Sequence, residues 1–138
     1  MNTGNLAPSG WHVPDTTEWN TLQNYLIANG YNYDGSTTDN KIAKSMAATT
    51  DWSSSSTTDG AIGNDLSKNN KSGFSALPGG YRYYTGGFYS QSYLGFWWSA
   101  TEYGAASAWY RNLDYDYDNL YRNDYGKGYG FSVRLLRD

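Results

Sequence analysis

The chain has 138 residues with a formal charge of −3, is 38% hydrophobic and 18% aromatic, and contains no cysteine. That length suits one domain with its own core, and the missing cysteines exclude disulfides, thiolate zinc sites and cysteine nucleophiles. With 13 acidic against 10 basic residues, phosphate-backbone binding is disfavoured and no nucleic-acid partner is expected; no segment is apolar enough to insert in a membrane, and the N-terminus lacks a signal-peptide core.

In chain order, residues 11–30 (WHVPDTTEWNTLQNYLIANG) predict a turn and then an amphipathic helix. Asp15 is placed to cap it, Glu18 to complete a capping box, and Gly30 to stop it, while Trp19, Leu22 and Leu26 recur at helical spacing. A second helix is predicted from about Asn40 to Ala48, capped by Asp39, with Ile42 and Met46 one turn apart. Residues 49–73 are polar, with apolar anchors at Trp52, Ile62 and Leu66, and predict a long surface loop. From Phe74 onward short strands and tight turns are expected, with turns at Pro78-Gly79-Gly80 and Gly86-Gly87. Strands are predicted at 94–101, at 108–115 and at 129–137. In the second, Trp109, Arg111 and Leu113 face away from Tyr110, Asn112 and Asp114; in the third, Phe131, Val133 and Leu135 point inward. The fold class is α+β: two helices packed on small, mainly antiparallel sheets with long irregular loops.

Residues 103–129 stand apart. They hold seven Tyr, four Asp and three Asn, and only Leu113 and Leu120 are plain apolar anchors. Recognition surfaces select this mixture, since Tyr supplies rigid amphipathic area and small polar residues supply adaptable hydrogen bonds. The alternative is a polar sheet face whose Tyr rings cover core edges. Asp114, Asp116 and Asp118 alternate like oxygen ligands, yet Asn119 and Tyr125 occupy the positions where a calcium loop needs Gly and Glu. Solvated display is expected of them, with no metal. His12 is the sole imidazole, and a hydrogen-bonded structural role is expected for it. Trp97, Trp98 and Trp109 are assigned to the core, and Arg111, Arg122 and Arg134 to places beside Tyr rings and Asp carboxylates.

The segments GWHVPDTTEW, SGFSALPGGYR, GFWWSATE, AWYR and GFSVRLLRD, in this order, resemble the Fibrobacter succinogenes major paralogous domain over nearly the whole chain. Leu135 departs from that pattern, standing where such domains often carry Cys. The resemblance implies a C-type-lectin fold, as in formylglycine-generating-enzyme-like modules, and one domain over residues 1–138. It also implies use as the variable protein of a diversity-generating retroelement. There, adenine-directed mutagenesis of AAC-type codons yields Asn, Asp, Tyr, Ser, Gly and Ala but not Trp, Lys, Glu, Gln or Met. Ser107, Asn112, Asp114, Asp116, Asp118, Asn123, Asp124 and Tyr125 comply, whereas Trp109 and Lys127 do not.

With Gly104, Tyr110 and Tyr121 added, those eight compliant residues make up the expected ligand-binding set. The expected function is non-enzymatic attachment to a protein or glycan on a cell surface, without cofactor, from many copies on a phage tail or cell surface. Any leader or anchor would lie outside this chain. The formylglycine-type activity depends on cysteines and is not carried over. The rival readings are a carbohydrate-binding module of fixed specificity, a formylglycine-type oxidase and a structural surface-layer module.

Overall fold

A computed structural model describes residues 6–55 and 57–138. Residues 1–5, on which the reading of the N-terminus partly rests, and Ser56 lie outside the described residues. In chain order the elements are β1 (Trp11–His12), α1 (Thr16–Ala28), α2 (Ala43–Met46), β2 (Tyr81–Arg82), β3 (Phe88–Tyr89), β4 (Leu94–Gly104), β5 (Ser107–Asp114), β6 (Tyr121–Gly126) and β7 (Leu136–Arg137). A 3-10 turn occupies Leu66–Lys68. The result is an α+β fold with two helices and small antiparallel sheets, β1–β7, β2–β3 and β4–β5–β6.

Helix α1 forms as its capping residues dictate. The Asp15 carboxylate accepts from the Glu18 amide and the Glu18 carboxylate accepts from the Asp15 amide, both at 2.8 Å. Trp19 and Leu26 are buried beneath it. The second helix is shorter than its periodicity predicts. Ala47 bridges Ala76, and the Ala48 amide donates to the Ala76 carbonyl, so the backbone leaves the helix after Met46. Asp39 is not its cap: it holds a left-handed φ of +60°, and Ile42 occupies the cap position.

The expected surface loop at 49–73 is instead partly core. Trp52, Ala61 and Ile62 are buried, and the Lys44 ammonium, itself buried, donates to the carbonyls of Ala61 (3.1 Å), Ile62 (3.4 Å) and Asn64. Gly63 donates to the Tyr115 carbonyl at 2.7 Å and has no room for a side chain, since a Cβ there would meet the Ser53 carbonyl at 2.4 Å. Sequence polarity hid this segment because its few apolar anchors, Trp52 and Ile62, are joined by backbone carbonyls that bond the buried Lys44.

The strand predicted at 129–137 is realised only at its end, as β7. Phe131, Val133 and Leu135 do alternate with exposed Ser132 and Arg134, but the backbone there makes only isolated bridges, Gly130 with Arg82 and Ser132 with Trp97. One edge of β4 is filled by β5. The other is shared in turn by Gly80, which donates to Leu94, by Ser132, which accepts from Trp98, and by Pro14, which accepts from Ala100. No single strand has the length of that edge to itself.

The β4–β5–β6 sheet separates two apolar clusters. Trp97 and Leu113 face α1 and α2 and join Trp19, Leu26, Ile42, Met46, Trp52, Ile62 and Leu120. On the opposite face Trp98, Ala108 and Tyr110 pack with Phe96, Tyr129, Phe131 and Val133. Trp97 and Trp98 are both core, as expected, but on different sides. Trp109 is only half-buried, its ring lying 3.9 Å beneath the Arg122 guanidinium.

Candidate functional site

Strand register decides which predicted residues share a surface. Tyr110 pairs with Trp98 on one side and Asn123 on the other, Asn112 with Phe96 and Tyr121, Ala108 with Tyr125, and Leu94 with Asp114. Directly paired residues project from the same face of a sheet. One face therefore carries Tyr110, Asn112, Asp114, Tyr121, Asn123 and Tyr125, six of the eleven residues expected to bind.

The other five lie elsewhere. Gly104 ends β4 at the hairpin to β5. Ser107 and Asp124 sit on the opposite face, Asp124 paired with Trp109. Asp116 and Asp118 belong to the turn between β5 and β6, so the three alternating carboxylates do not line one extended strand.

Asp116 is also not a freely solvated side chain. Its Oδ1 accepts from the Ser55 hydroxyl and, at 2.8 Å, from the Thr57 hydroxyl. Those bonds, Ser55 first, hold its carboxyl below the usual range. Asp114 accepts from the Asp116 amide at 3.1 Å, and burial raises its pKa. The Asp118 carbonyl accepts from the Ala43 amide at 3.0 Å, so this turn ties the sheet to α2.

The arginines also depart from expectation. Arg122 lies over Trp109, and Arg134 lies over Phe74 at 4.6 Å; neither ring is a tyrosine. Arg111 is buried and donates to the Asn20 side chain at 2.6 Å. Among the described residues none of the three pairs with an Asp. His12 has the structural role expected for it, bonded to Asp138 at 2.6 Å and Glu18 at 2.7 Å, both of which raise its pKa.

Beside the predicted face lies a half-open cavity of ≈ 260 Å³ lined by Tyr81, Ser90, Leu94, Phe96, Tyr110, Tyr125, Tyr129 and Phe131. Phe131 stacks on Phe96 at 4.7 Å and on Trp98 at 4.3 Å, while Tyr125 meets Tyr129 edge-on at 4.5 Å. Tyr110 is only 9% exposed, so its ring forms part of the cavity floor instead of a projecting tip. Beyond the rim, the β2–β3 hairpin presents Tyr84, Tyr89 and Phe88, the last 78% exposed. Clustered exposed rings of this size are the usual mark of an interaction surface.

Of the lining, only Tyr110 and Tyr125 were expected. The missed signal was compositional: residues 81–93 (YRYYTGGFYSQSY) carry the same Tyr, Ser and Gly mixture that singled out 103–129. What the sequence did not reveal is that the two segments meet, which depends on Gly80 and Ser132 both pairing along β4.

No curated protein and no solved structure matches the chain significantly. The family model described as the Fibrobacter succinogenes major domain matches residues 1–137. The chain belongs to the Fibrobacter succinogenes major domain family.

Proposed function

We propose that this domain is a non-enzymatic, C-type-lectin-like binding module whose recognition surface is the outer face of β5 and β6 together with the aromatic cavity beside it. The observation that carries the reading is the register that gathers Asn112, Asp114, Tyr121, Asn123 and Tyr125 on one face, away from the helices. Trp97, Arg111 and Leu113 on the reverse of that sheet are buried, so substitutions on the outer face leave the larger core intact. That separation is what a surface diversified by a retroelement requires. Asn112, Asp114, Asn123 and Tyr125 are the codon-compliant positions best placed to vary. Asp116 is less free, because Ser55 and Thr57 depend on it.

The partner is a protein or glycan on a cell surface, met by several copies of the domain so that weak single contacts add up. The site of action is extracellular, on a cell surface or a phage tail. Comparing genomic copies of the gene tests diversification. Change confined to adenine-bearing codons of these positions, beside a reverse transcriptase and a template repeat, supports it; change scattered over the chain contradicts it. A fixed-specificity reading is favoured by one feature, that Tyr81, Phe96, Tyr129 and Phe131 of the cavity lie outside the variable positions.

A further inference from the structure

We infer that the aromatic cavity is a subsite for an alkylated ammonium cation, such as a trimethylammonium group, with Tyr125 shared between it and the exchangeable face. This rests on reading that face as a binding surface and names the ligand chemistry of the cavity that adjoins it.

The wall is six rings, Tyr81, Phe96, Tyr110, Tyr125, Tyr129 and Phe131, completed by Leu94 and Ser90. Aromatic faces carry negative charge density and hold organic cations, most strongly where water is displaced. No Lys or Arg lines the cavity, which removes the usual means of holding an anion. Arg82, next to Tyr81 in sequence, lines an adjoining hollow with Phe88 and Gly130, and Arg111, next to Tyr110, lies on the reverse of the sheet bonded to Asn20. Asp114 lies across the ladder from Leu94 and supplies a carboxylate on the same face. A sugar subsite would want planar amide or carboxylate groups in the wall to engage paired hydroxyls, and among the described residues the lining has none.

The phenols of the wall are held neutral, chiefly by burial. Tyr110 is held protonated above the usual range by burial, then by Tyr125 and Asp124. Tyr129 shifts the same way, by burial and then by the phenols of Tyr83 and Tyr125. A cation entering the cavity meets no like charge in its wall.

The test titrates the whole domain with choline chloride and with its neutral carbon isostere, 3,3-dimethyl-1-butanol, at constant ionic strength, following tyrosine and tryptophan fluorescence. Choline should bind about tenfold more tightly than the isostere, a difference within the range of a desolvated cation–π site. Tyr125→Leu should weaken choline binding by a similar factor, and Tyr125→Phe should largely preserve it. Tyr125 is 45% exposed, so both variants should keep the wild-type circular dichroism. Equal binding of choline and the isostere, binding of methyl glucoside in place of choline, or no choline binding would each overturn the inference. The titration contains no macromolecular partner, so failure of the cation site is read separately from failure of the recognition face.

Discussion

Arg111 of β5 donates to the side-chain oxygen of Asn20 on α1 at 2.6 Å, and among the described residues this is the one hydrogen bond its guanidinium makes. The side chain is 2% exposed, and its Nε has no partner. Burial, with Arg122 alongside, lowers its pKa to about 10. A buried charge held by a neutral amide is costly to keep, and an apolar residue of similar volume is often neutral or stabilising at such a place. Arg111→Met should therefore leave the urea midpoint unchanged or raise it. Asn20→Ala should lower stability by about 2 kcal/mol by orphaning the charge. A larger loss from Arg111→Met than from Asn20→Ala would contradict this account.

His12 joins the two ends of the described fold, bonding to Asp138 near the C-terminus and to Glu18 in the first turn of α1. Its folded pKa is raised above 6.5, first by Asp138 and then by Glu18. The stabilisation is thus fully present below the unfolded value and is lost as pH rises through the folded one. Urea midpoints of the wild type should fall between pH 6 and pH 9 by more than those of His12→Asn. Parallel pH profiles would show that the imidazole contributes nothing.

Asp116 anchors residues 53–55 and Thr57 through the Ser55 and Thr57 hydroxyls. Asp116→Ala should speed amide exchange at those residues and lower the melting temperature, while Asn123→Ala, on the open sheet face, should do neither. Because the folded pKa of Asp116 is depressed, its stabilisation is present above the unfolded value near 3.8 and is lost as pH falls through the folded value. Unchanged exchange in Asp116→Ala would return position 116 to the freely variable set.

Gly80 fixes where the β2–β3 hairpin meets β4. Its φ is +63°, and a Cβ there would stand 2.1 Å from the Tyr89 carbonyl. Gly80→Ala combines a left-handed backbone with a collision against main chain, so it should destabilise by about 2 kcal/mol or more. It should also disturb the cavity, which the hairpin helps to wall through Tyr81. A wild-type melting curve for this variant would mean the turn can relax at little cost.

The capping box of α1, the strands β4 and β5 and the two-faced pattern of 108–114 were legible because each rests on residues close in sequence. Alternation along 94–101 puts Trp97 and Trp98 on opposite faces, but that each face carries its own core depends on what packs there, the helices on one side and residues 129–133 on the other. The truncation of α2, the burial of 60–63 and the breakup of 129–135 all follow from long-range backbone bonds, which leave no periodic trace. The same holds for the site. Alternation showed which residues of β5 point together, whereas the cavity needs residues 81–96 and 129–131 to converge on them.

The most direct test of the recognition face compares the wild type with the Asn112→Ala/Asn123→Ala/Tyr125→Ala triple variant on an array of bacterial surface proteins and glycans, with equal folding checked by circular dichroism. The account predicts at least one target that the wild type holds and the triple variant loses, and a Trp109→Ala control on the reverse of the sheet that still binds it. Targets retained by the triple variant at wild-type affinity would contradict it.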